Sequence, residues 1–175
     1  MVRGLADLTV IVYYDIVLSG RRWRRGIRNA GRRDRPGDQM TDTEFARAFE
    51  RGEVPSAEFH HRDHLRLAWT YLAESGTLEE ATGRIVAAIK AFAAAAGAAR
   101  KYHETLTVFW MHMVWRLRQR PGVAGDFDAA LESDPGLLDK DLPLIYYSRA
   151  RLFSEDARRS WLEPDLRPFP GPGCP

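Results

Sequence analysis

The chain has 175 residues, 45% of them hydrophobic, which is enough for one globular domain with its own core and too few to predict two domains. Its single cysteine, Cys174, excludes an intramolecular disulfide and a thiolate cluster for zinc or iron–sulfur binding, and it fits a cytoplasmic location. The net charge of +2 hides a division of the chain: residues 1–39 carry nine Arg and four Asp, whereas residues 40–175 carry a net charge of −3.

The basic piece, residues 1–39, is predicted to lie outside the folded domain. Its apolar run LTVIVYYDIVL is shorter than the roughly 20 residues of a membrane-spanning helix and contains Asp15, so no membrane association is expected. Three interpretations stay open: a basic arm for nucleic acid, a surface-binding segment, or a disordered or non-native extension before Met40. We favour the extension, because MTDTEFARAFERGE opens with Met and then a helix start, and we do not expect nucleic-acid binding.

Two helix starts carry the capping-box pattern, in which a hydroxyl and a carboxylate three residues later bond to free backbone amides. The first pairs Thr41 with Glu44 and predicts a helix from about Asp42 to Arg51 that ends at Gly52. The second pairs Thr77 with Glu80. It predicts an alanine-rich helix over about 78–96, with Gly97 as its stop.

The spacing of apolar residues predicts two further main helices. One covers about 60–74, with a buried stripe of His61, Leu65, Ala68 and Leu72. The other covers about 101–120 and is apolar on most sides, so it should be central, and its exposed part would be the place for a homodimer contact.

Shorter helical segments are predicted over 126–133, 142–147 and 154–162, followed by an extended proline-rich tail. No alternation typical of strands and no glycine-rich phosphate loop is present. The sequence therefore predicts an all-α domain over 40–175, with four main antiparallel helices and short C-terminal helices across one end.

Three of the five histidines fall within five positions at the start of the second helix. His61 and His64 are three residues apart and therefore project from one helix face. His103 begins the fourth helix, which would run parallel to the second in an up-down bundle. These three imidazoles are predicted to meet as ligands of one divalent transition metal, and Zn²⁺, Fe²⁺, Mn²⁺, Ni²⁺ and Cu²⁺ all remain open.

Such a centre would activate water for hydrolysis or hydration of a small molecule. Glu104 and Asp63 are the candidate acid/base residues of this metal-dependent enzyme. Thr107, Tyr147 and Ser148 are the candidate residues of a substrate pocket, in which aromatic side chains would form the walls.

A second interpretation is a non-catalytic ligand-binding or partner-binding helical module in which the histidines form a structural hydrogen-bond network. Imidazoles near a helix N-terminus commonly serve as capping groups. We expect His60 to be exposed and His112 to be a satisfied core or edge residue.

The chain from 59 to 166 resembles an uncharacterised family of small bacterial proteins. The resemblance rests on FHHRDHLRLAW at 59–69, KYHETLT at 101–107, YYS at 146–148 and PDL at 164–166. It selects His61, His64 and His103 over the other two histidines, and it implies no particular activity.

Overall fold

All secondary structure in residues 40–123 and 125–169, the part of the chain that the computed structural model describes, is helical. Seven α-helices occur there: α1 Asp42–Glu50, α2 His61–Glu74, α3 Leu78–Ala95, α4 Glu104–Arg118, α5 Phe127–Ser133, α6 Arg149–Leu152 and α7 Glu155–Arg159. Short 3-10 helices cover Ala99–Lys101, Pro135–Leu138 and Leu142–Ile145. The all-α prediction is confirmed, while the predictions for residues 1–39 and for the end of the tail fall outside the described residues.

The helix starts follow the predicted capping chemistry, with one difference. At α1 the side chains of Thr41 and Glu44 each bond to the other's backbone N–H, which completes the box. At α3 the hydroxyl of Thr77 accepts the N–H of Glu80, but the Glu80 carboxylate accepts the N–H of Gly76 instead. The same carboxylate thus satisfies an amide one residue before the cap.

The core is built around α2, which packs against α1, α3 and α4. The predicted stripe of α2 is buried at His61, Leu65, Ala68 and Leu72. Full burial of a Leu or Phe side chain stabilises a fold by about 1.5–3 kcal/mol, so this stripe and its partners on α4 hold the domain together. No helix among the described residues is long and apolar enough to cross a membrane.

Helix α4 begins three residues later than predicted. Residues Ala99–Lys101 form a 3-10 turn, and the backbone then extends through Tyr102 and His103 before the helix starts at Glu104. The imidazole of His103 accepts the N–H of Leu106, so this residue is the N-cap and does not lie inside the first turn. The predicted start at about 101 placed His103 inside the helix, whereas its role as the N-cap moves the first helical residue to Glu104.

Candidate functional site

His61 is a buried residue of the α2 core face. Its Nε2 donates a hydrogen bond to the backbone carbonyl of Leu137 at 2.8 Å, and its ring stands edge-on to Trp110 with 4.4 Å between the ring centroids. Burial lowers the pKa of His61 to about 4, and the hydrogen bond to Leu137 opposes this only in part. The imidazole is therefore neutral at physiological pH and fixes the 3-10 turn of residues 135–138 against α2.

His64 lies one turn further along α2 and is half-buried. Its ring packs against Phe59, with 4.4 Å between centroids. Burial is the main cause that lowers the pKa of His64 to about 3, and electrostatic repulsion from His61 and Lys140 contributes to the same shift. The structure thus brings His61 and His64 together with Lys140, a neighbour that the sequence analysis did not identify.

His103 has hydrogen-bond partners at both ring nitrogens. Its Nδ1 accepts the N–H of Leu106 at 3.2 Å, and its Nε2 donates to the carbonyl of Leu152, the last residue of α6, at 2.9 Å. Burial lowers the pKa of His103 to about 4. The neutral ring thus links the start of α4 to the end of α6 by hydrogen bonds. In this arrangement neither ring nitrogen has a free lone pair for a metal ion.

The predicted metal centre is not assembled in the part of the chain that the structure describes. Within residues 40–123 and 125–169, no group of three or more His, Cys, Asp and Glu side chains is arranged to hold a metal ion. The two N-terminal turns that carry the imidazoles instead direct them to different carbonyl groups, that of Leu137 for His61 and that of Leu152 for His103.

The two candidate acid/base residues also have structural partners. The Asp63 carboxylate accepts the backbone N–H of His60 at 2.7 Å and so caps α2. Glu104 accepts the hydroxyl of Tyr102 at 3.0 Å and lies 2.8 Å from the ammonium group of Lys90 on α3. Both carboxylates therefore fix helix ends in place.

The candidate substrate-pocket residues bind the protein's own backbone or side chains. The hydroxyl of Thr107 donates to the carbonyl of His103 at 2.9 Å, and that of Tyr147 donates to the carbonyl of Leu162 at 2.9 Å. Ser148 donates from its hydroxyl and from its N–H to the two oxygens of Asp165, at 2.6 and 2.8 Å. These hydrogen bonds also lower the pKa of Asp165.

Residues of two sequence motifs, YYS and KYHETLT, bond to the C-terminal segment, residues 160–169, which contains the motif PDL. Ser148 of YYS binds Asp165 of PDL, and the carbonyl of Tyr146 accepts the N–H of Leu166 at 3.0 Å. Thr105 of KYHETLT donates to the carbonyl of Ser160 at 2.8 Å and accepts the N–H of Leu162 at 3.1 Å. The motif residues outside α2 hold an extended segment to α4 and α6.

His112 belongs to an aromatic cluster under this segment. Its ring stacks on Trp161, with 5.5 Å between the centroids, and lies 5.1 Å from the ring of Phe169. Burial lowers the pKa of His112. The residue is half-buried at the edge of the core.

An open pocket of about 510 Å³ lies elsewhere, between the end of α1, the loop that follows it and one face of α3. Its floor includes Phe49 and Phe92, and one wall is formed by Ala88, Ala91 and Ala95. The sequence does not predict this pocket, because its pattern places Ala88, Phe92 and Ala96 on the inward face of the helix, whereas in the structure they line the pocket. The available signal was a second alanine face on α3, beyond the buried stripe of Ile85 and Ile89.

Comparison of the chain with protein-family models, with curated proteins and with solved structures finds no match.

Proposed function

We propose that this protein is a non-catalytic, cytoplasmic helical module that binds a small molecule, and that its histidines form a structural hydrogen-bond network. The frame of this module is the predicted set of four main antiparallel helices, with the short C-terminal helices across one end. Three other expectations remain predictions: the resemblance to the small bacterial family, the homodimer and the basic arm for nucleic acid.

The observation that carries the proposal is the double hydrogen bonding of His103. Binding of a transition metal by this ring would break its bond to the Leu106 amide or to the Leu152 carbonyl, both of which are internal to the fold. A buried polar group left without its partner costs about 1–3 kcal/mol. Retention of both bonds supports a structural histidine over a metal ligand.

The pocket between α1 and α3 supports binding of a ligand. Small-molecule sites in proteins are clefts of about 300–1,000 Å³ with mostly apolar walls, and the pocket volume of about 510 Å³ lies within this range. Its aromatic floor is continuous with the core, since Phe59 packs against both Phe49 and Phe92 with centroid distances of 4.7 and 4.9 Å. The floor is therefore supported from below by a ring of the core.

The test combines metal analysis with a binding measurement on untagged protein. We expect no stoichiometric metal, and we expect the same urea unfolding curve before and after dialysis against EDTA. We also expect the neutral apolar dye N-phenyl-1-naphthylamine to bind saturably at one site, as measured by its fluorescence. One equivalent of metal whose removal lowers the free energy of unfolding would overturn the proposal, as would a dye signal that does not saturate.

A further inference from the structure

The lining of the pocket between α1 and α3 is mostly apolar, and we call the part formed by Glu50, Arg51, Ala95 and Ala96, at the C-terminal ends of the two helices, its mouth. The floor residues Phe49 and Phe92 contact each other with tilted rings at 4.7 Å between centroids, and the other lining residues of α3 are alanines. Val54 and Pro55 of the loop after α1 close the opposite side. The phenylalanine and alanine side chains therefore suit a hydrocarbon chain or a ring, and the charged lining residues are Glu50 and Arg51.

The charged groups at the mouth are neutralised by their neighbours. Arg51 binds the carboxylate of Glu53 through two nitrogens, at 2.7 Å each. Glu50 lies 2.9 Å from Arg47 and 3.5 Å from Arg84. Burial raises the pKa of Glu50, but hydrogen bonds and the two guanidinium groups outweigh it, and the net pKa lies below its usual value. The guanidinium groups near the mouth are thus already paired with carboxylates, which weakens their attraction for an acidic ligand.

Two helix C-termini meet at this mouth, because α1 ends at Glu50 and α3 ends at Ala95. The turn after α3 uses the carbonyls of Ala93 and Ala94 to accept the N–H groups of Ala98 and Gly97. The carbonyls of Ala95 and of its neighbour Ala96, by contrast, accept no backbone N–H from the described residues.

Free carbonyls at the end of a helix are hydrogen-bond acceptors, and the helix dipole adds a partial negative charge there. The last turn of α3 contains no basic residue to offset that charge. The mouth therefore favours a positively charged or hydrogen-bond-donating group over an anionic one.

We propose that this pocket binds an apolar molecule that ends in a hydrogen-bond donor, with a primary ammonium group as the preferred head. The apolar part lies between the phenylalanine floor and the alanine wall, and the head donates to the free carbonyls at the end of α3. This inference rests on the proposed binding function, and it adds the chemical class of the ligand and the position of its head group.

The experiment compares three probes of equal chain length, n-octylamine, 1-octanol and octanoate, by isothermal titration calorimetry at pH 7 with the full chain. We expect the amine to bind most tightly, the alcohol less tightly, and octanoate about tenfold or more weakly than the amine, a difference of about 1.4 kcal/mol. Equal or tighter binding of octanoate would overturn the assignment of the head group.

Two matched variants test the location. Ala91 and Ala94 both lie exposed on α3, but only Ala91 lines the pocket. Ala91→Trp should fill the pocket and reduce octylamine affinity at least tenfold, whereas Ala94→Trp should bind as the parent does. Ala95→Leu, a smaller change at another lining position, should reduce octylamine affinity by an amount between the effects of these two variants. Circular dichroism checks that each variant is folded.

The outcomes separate this inference from the proposed function. If octylamine binds Ala91→Trp as tightly as the parent, the site lies elsewhere: the inference fails and the binding function stands. If the naphthylamine dye binds saturably but none of the three octyl probes does, the ligand class is wrong and the binding function again stands. If the dye and the probes all fail to bind, both are overturned.

Discussion

At the scale of single residues, imidazole serves here as a two-ended hydrogen-bond linker. A neutral ring has one donor and one acceptor nitrogen, and His103 uses both, one for a helix cap and one for a distant carbonyl. Serine or aspartate could cap α4 but could not reach Leu152 as well. Burial keeps the ring neutral, which preserves the acceptor that the cap requires.

Substitutions of His103 should separate its two bonds. His103→Ala removes both and should lower the free energy of unfolding by about 2–4 kcal/mol, the sum of a lost cap and an unpaired buried carbonyl. His103→Asn keeps a capping oxygen and should cost about half as much. Urea unfolding followed by tryptophan fluorescence measures both values. An alanine variant as stable as the parent would show that neither bond stabilises the fold.

At the scale of elements, the C-terminal segment is fixed by side chains from α4 and from the residues just before α6. Thr105 at the start of α4 is fully buried and bonds to both Ser160 and Leu162. Tyr147 and Ser148, before α6, add bonds to Leu162 and Asp165. Because the backbone hydrogen bonds of this segment go chiefly to the carbonyl of Tyr146, these side chains supply much of the bonding that a helix or strand would otherwise make.

Replacing Thr105 should therefore release the segment. Thr105→Val keeps the shape of the side chain but removes its bonds to the Ser160 carbonyl and the Leu162 amide. Because Ser160 is exposed and Leu162 half-buried, water can partly replace these bonds, and the total cost should be about 1–2 kcal/mol. Hydrogen exchange should become faster at the Leu162 amide while the amides within α2 keep their protection.

Thr82→Val provides the matched control for this change. The hydroxyl of Thr82 donates only to the carbonyl of Leu78 within α3, at 2.7 Å, and such a back-bond contributes little to helix stability. If the two variants lost the same free energy of unfolding, the bonds from Thr105 to the C-terminal segment would stabilise the fold no more than an ordinary back-bond within a helix.

At the scale of the whole molecule, local features were predictable and contacts between distant residues were not. The cap at Thr41 and the buried stripe from His61 to Leu72 follow from spacings of three and four residues. The bond from His103 to Leu152 joins residues 49 positions apart, and the sequence does not contain its geometry. Spacing alone identified His61 and His64 as neighbours, but it could not distinguish a ring that binds a carbonyl from one that binds a metal.

The histidines together make the stability of the whole fold dependent on pH. The folded pKa values of His61 and His103, both about 4, lie below the unfolded value of 6.5. The unfolded chain therefore binds more protons between pH 6.5 and 4, so the stabilisation is complete above pH 6.5 and is lost as the pH falls toward 4. Each of these two rings can remove up to about 1.4 kcal/mol per pH unit in that window.

Urea unfolding at pH 8, 7, 6, 5.5 and 5 should therefore show a plateau at the higher values and a steep decrease below 6.5. The His103→Asn variant lacks one of the two rings, so its curve should fall less steeply, by up to about 1.4 kcal/mol per pH unit. Carboxylates titrate mainly below this window, and the difference between the two curves thus isolates the histidine. Parallel curves would mean that His103 is not kept neutral by the fold, and the structural account of this residue would then be wrong.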